Sequence, residues 1–72
     1  MIELDNLENI TDNMNYDKYD GKWYSYIHNM IPFRVRLLDD ELSIFQATET
    51  SQVGVDTPEV REILRQIEKR LR

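Results

Sequence analysis

An α+β fold is the expectation from this sequence: a small three-stranded antiparallel sheet with a C-terminal amphipathic helix packed on one face. Three observations carry it. Ile31, Phe33, Val35 and Leu37 alternate with Pro32, Arg34 and Arg36, which is the period of a half-buried strand. Leu42 and Ile44 continue that alternation, with Gln46 in phase, after the acidic break Asp39-Asp40-Glu41. Val60, Ile63, Leu64, Ile67 and Leu71 recur at helical spacing and form one apolar stripe.

The elements follow in chain order within a single expected domain, 1–72. Residues 1–20 are rich in Asn and Asp. Leu7, Ile10 and Met14 are spaced for one helix face, with Asp5 as an N-cap and Glu8 three residues on. That spacing predicts a short helix over about Asn6–Met14. Asn and Asp also favour turns over helix interiors, so a partly disordered acidic arm is the alternative. Asp17 to Gly21 reads as a turn into the sheet region, 22–48.

The first strand, Lys22 to His28, is aromatic on both faces, and the length of its turn decides which face is buried. A two-residue turn at Asn29-Met30 sends Tyr24 and Tyr26 into the core. A three-residue turn sends Trp23 and Ile27 in. The less polar Trp23–Ile27 row is the preferred core face. The hairpin at Asp39-Asp40 is better specified: a two-residue or four-residue loop places Leu37 opposite Leu42 and Val35 opposite Ile44 alike. The segment Glu49 to Asp56 reads as a connection in which Val53 and Val55 form a brief strand. The helix is expected over 57–71. Asp56 or Thr57 caps it, Pro58 fits its first turn, and basic residues crowd its C-terminal end.

Composition narrows the function. The net charge of −5 is uneven: residues 1–20 carry −5, residues 21–56 carry −2 and residues 57–72 carry +2. This balance disfavours nucleic acid and anionic lipid, which bind by having phosphates neutralised. With no cysteine there is neither a disulfide framework nor a thiolate metal site. His28 alone builds no zinc site or triad, and two glycines make no phosphate loop. No cofactor, metal site or enzymatic activity is expected. No apolar run approaches membrane-spanning length, and MIELDNLENI lacks the regions of a signal peptide. The expected setting is therefore the cytoplasm.

The remaining feature is aromatic. Tyr16, Tyr19, Trp23, Tyr24 and Tyr26 are interleaved with small polar residues, a composition suited to protein contact. The expected binding face holds Tyr19, Tyr24, Tyr26, Arg34, Arg36 and Phe45. The leading expectation is a small acidic protein-binding module that docks on a larger protein. Its size and acidity resemble those of phage or mobile-element inhibitors and regulators, a likeness of composition with no motif behind it. The alternatives are a homodimeric structural subunit and a single-stranded nucleic-acid-binding sheet, the latter opposed by the charge.

Overall fold

The computed structural model describes residues 2–14, 20–48 and 51–71. Five antiparallel strands form one sheet in the order of the chain: β1 (Glu8–Asn9), β2 (Lys22–His28), β3 (Ile31–Leu38), β4 (Glu41–Ala47) and β5 (Gln52–Gly54). One helix, α1 (Pro58–Leu71), follows. The α+β class stands, but the sheet has five strands, not three. The two extra strands are two and three residues long. β5 falls on the stretch where Val53 and Val55 suggested a brief strand, ending one residue short of Val55; β1 is too short to show an alternation, and main-chain pairing to β2 defines it.

The expected helix over Asn6–Met14 does not form. Asn9 Oδ1 accepts hydrogen bonds from the Thr11 backbone N–H (2.9 Å) and the Thr11 hydroxyl (2.6 Å). Ile10 N–H donates to Trp23 O (2.9 Å), and Trp23 N–H donates to Thr11 Oγ1 (3.1 Å). These local side-chain bonds give the backbone a better alternative than a helix. Only a single 3₁₀ turn remains, Thr11–Asn13. Where β1 stops, Asn6 takes over: its amide accepts from Ile27 N–H (2.8 Å) and donates to Ile27 O (3.0 Å).

Both hairpins close through two-residue turns. Asn29 (φ 50°) and Met30 (φ 67°) join β2 to β3; Asp39 (φ 52°) and Asp40 (φ 66°) join β3 to β4. Positive φ at both central residues matches the right-handed twist of the strands. The two-residue turn pairs His28 with Ile31 and therefore puts Tyr24 and Tyr26, not Trp23 and Ile27, on the helix side. The preference for the less polar row assumed one buried face. Tyr26 enters the core at 1% exposure because His28 Nδ1 lies 3.2 Å from its hydroxyl, so burial leaves no orphaned polar atom.

The main core lies between the sheet and α1. Val60, Ile63 and Ile67 meet Tyr26, Phe33, Val35 and Ile44. Ile2, Leu4 and Leu7 from the N-terminal segment pack at its margin. Removing each of the two fully buried isoleucines from water is worth about 1.5–3 kcal/mol. Thr57 caps α1, its Oγ1 accepting from Val60 N–H at 3.2 Å.

A second, smaller apolar cover lies on the other side of the sheet. Trp23 and Met14 are both buried, at 2% and 5% exposure, yet neither belongs to the main core cluster. The Trp23 ring stacks on Phe45 with centroids 6.0 Å apart. The Arg36 guanidinium lies 5.7 Å from the Trp23 ring centroid. Asp20 closes the corner beside Trp23: its carbonyl accepts from Trp23 Nε1 (3.2 Å) and Arg36 Nε (2.8 Å). Gly21 makes the turn into β2 possible. Its φ is +94°, and a Cβ there would sit 2.6 Å from Leu37 O.

Candidate functional site

The strand register sorts the expected binding residues onto two faces. Paired residues share a face, and successive residues alternate. Tyr24 and Tyr26 lie on the α1 side, Tyr24 half-buried and Tyr26 fully so. Arg34, Arg36 and Phe45 lie together on the opposite side. Tyr19 falls outside the described residues. The six residues thus do not form one surface, and the arginine–Phe45 group is what the structure holds together. Its two arginines differ. Arg36 is spent on Asp20 and the Trp23 ring, whereas among the described residues Arg34 reaches only Gln52 Oε1, at 3.4 Å.

This second face has two halves. The half toward Gly21 holds Trp23, Arg36 and Ser43 and is covered as described. The half toward the β2–β3 turn holds Ser25, Ile27, Pro32, Arg34, Phe45 and Gly54. Here the surface is open. Ile27 is 54% exposed, Pro32 is exposed, and no described residue lies within 4 Å of where a Cβ on Gly54 would point. The turn continues the apolar surface with Met30, 93% exposed; Ile31, paired with His28, is 39% exposed on the α1 side. Single exposed apolar residues are ordinary, but Ile27 and Pro32 are directly paired and Met30 stands at the turn beside them, which makes a patch. The sequence carried a signal for it. A methionine in the second position of a two-residue turn is out of place, since that position wants Gly or Asn.

Two other places hold polar groups. His28 stands beside the turn but is half-buried, stacked on Tyr26 at 5.9 Å between centroids. Its Nε2 lies 3.6 Å from Glu59 Oε2, which ties β2 to the first turn of α1. Burial pushes the Tyr26 phenol above its ordinary range. A groove of about 400 Å³ separates the Asp40–Leu42 corner from Arg61, Leu64 and Arg65 of α1. Its cations are already engaged. Asp56 holds Arg61 through two hydrogen bonds, and Glu62 holds Arg65. The carboxyls respond: the Arg61 bond lowers the Asp56 pKa, and the Arg65 and Gln66 bonds lower that of Glu62 to about 2. Among the described residues no group of three His, Asp or Glu side chains converges in a way that suits a metal ion. No helix among them is long and apolar enough to cross a membrane.

No protein-family model, curated protein or solved structure matches this chain.

Proposed function

We propose that the chain is a small protein-binding module that docks on a larger protein through the open half of its second sheet face. The docking residues are Ile27, Met30, Pro32, Arg34 and Phe45. The observation that carries this reading is the turn apex: a nearly fully exposed methionine held at positive φ, next to the exposed Ile27–Pro32 pair. A left-handed backbone at a non-glycine residue costs stability, and such strain persists where something other than stability selects the side chain. Methionine is also a side chain that adapts to an irregular pocket. Arg34 adds directional donors beside the apolar patch. As an inhibitor or regulator acting in the cytoplasm, the chain would work by occupying its partner's surface.

The test is affinity capture with three purified forms: the parent, Met30→Asp and Arg36→Ala. Circular dichroism establishes that each is folded. The parent and Arg36→Ala should retain one stoichiometric partner, and Met30→Asp should lose it. Equal retention by Met30→Asp moves the site away from the turn. A concentration-dependent dimer in sedimentation that Met30→Asp abolishes would transfer the surface to a second copy of the chain.

A further inference from the structure

We infer that the surface recognised by the β2–β3 turn is basic: an apolar pocket rimmed by lysine and arginine, on a protein and not on a nucleic acid or lipid. This inference rests on the docking reading above and adds the chemistry of the partner. The apolar centre is Ile27, Met30 and Pro32. Its flank is the N-terminal segment, where Glu3, Asp5 and Glu8 are all exposed.

The geometry fixes these carboxylates next to the patch. Asn6 binds both backbone groups of Ile27, so its exposed neighbour Asp5 stands beside the β2 edge at that point. Glu8 pairs with Ser25 in the β1–β2 ladder and so lies on the open face. Glu3 shares a small polar pocket with Tyr26, Ile27, His28 and Asn29. None of the three carboxylates forms an ion pair with a described residue. Arg34 is the described cation on the open half itself, where it reaches Gln52 Oε1 at 3.4 Å, so three carboxylates flank one arginine there; the other described cations are elsewhere or engaged. α1 starts beside His28 and runs toward the Asp40 corner, which takes Lys69 and Arg70 to the opposite end from the turn.

An acidic rim around an apolar centre is complementary to a basic rim around an apolar pocket. The same field repels phosphate backbones and anionic headgroups. It also repels a second copy of the chain, which brings its own net charge of −5. Charge therefore selects among occupants that the apolar centre alone would accept.

The test uses a displayed library of short random peptides, selected on the purified full chain. Enriched peptides should combine large apolar residues with flanking Lys or Arg. Their affinity should fall about tenfold between low and high salt, because exposed charges a Debye length of about 10 Å apart are screened. Glu3→Gln with Asp5→Asn and Glu8→Gln should weaken them by a similar factor, and Met30→Asp should abolish binding. Peptides that need Met30 but carry no basic residues, or ignore salt and the carboxylate changes, overturn the charge inference and leave the docking reading standing. Peptides indifferent to Met30→Asp, or no enrichment at all, overturn both.

Discussion

On one side of the sheet, Val60, Ile63 and Ile67 meet Tyr26, Phe33, Val35 and Ile44, and the contact is almost wholly apolar. On the other, Trp23 is held by directional bonds to Thr11 and Asp20 and lies beside the Arg36 guanidinium. The first cover is a periodic helix, and area removed from water holds it in place. The second depends on a few directional bonds, each tied to one atom in one position. Burial on the two sides is similar for the residues concerned, but the ways to undo it differ. Loss of one methyl group loosens the helix side a little. Loss of one hydroxyl can release the whole of the other side.

The largest effects come from testing both covers at once. Trp23→Ala should cost about 3–5 kcal/mol and Ile67→Ala about 2–5 kcal/mol in urea unfolding. In a chain of 72 residues either change can abolish folding, so Trp23→Phe and Ile67→Val serve as milder companions. If Trp23→Ala costs less than about 1 kcal/mol, the second side is not a core and the comparison collapses. Trp23 is the one tryptophan in the sequence, so blue-shifted emission protected from soluble quenchers is an independent check.

Thr11→Val comes next. It keeps the shape and deletes the acceptor for Trp23 N–H and the donor to Asn9 Oδ1. A cost of about 1–3 kcal/mol is expected, with hydrogen exchange accelerating on the Trp23 side before the α1 side. Uniform acceleration would mean that the two covers open as one unit.

The helix side was legible in the residues because it obeys a period. The alternation over 31–37 and the stripe from Val60 to Leu71 each predict a face, and the faces match in size. The second side was not legible, since Leu7, Ile10 and Met14 also fit a helix. What decides against the helix is the capture of Thr11 by Asn9 and of both by β2, a long-range event. The Trp23 row was misassigned for a related reason. Ranking two rows by polarity works only where one face is dry, and here both are covered. Arg34 and Phe45 share a face as the alternation implies, whereas the two-residue turn puts Tyr24 and Tyr26 on the other.

Met30→Gly separates stability from docking. Relief of the left-handed strain should raise stability by about 1 kcal/mol, read as a higher urea midpoint. The same change removes the most exposed apolar side chain and should weaken partner capture. A variant that is no more stable would mean that the turn bears no strain.

The smallest effect belongs to acid. Asp56 and Glu62 are held below their ordinary range by Arg61 and Arg65 in the fold. Their contribution is therefore complete above the unfolded value of 4.5 for Glu62 and is lost as pH falls toward about 2. Both groups are on the surface, so the loss is small and screened by salt. Glu62→Gln should flatten the pH dependence of the midpoint in that window. An unchanged slope would assign acid sensitivity to other carboxylates.

The two hydrogen bonds from Asn6 to Ile27 have a consequence for how the molecule behaves in a crowded solution. A strand whose outward N–H and C=O point into water is a template on which another chain can add itself, and then another. β1 occupies that template for two residues only. Beyond it, one carboxamide satisfies both groups of Ile27 in place of a neighbour's backbone. Asn6 is thus a terminator of lateral growth, placed next to the most apolar surface of the molecule. Asn6→Leu would leave the fold's register in place and unblock that position, and the expected outcome is slow, concentration-dependent formation of fibrillar material instead of unfolding.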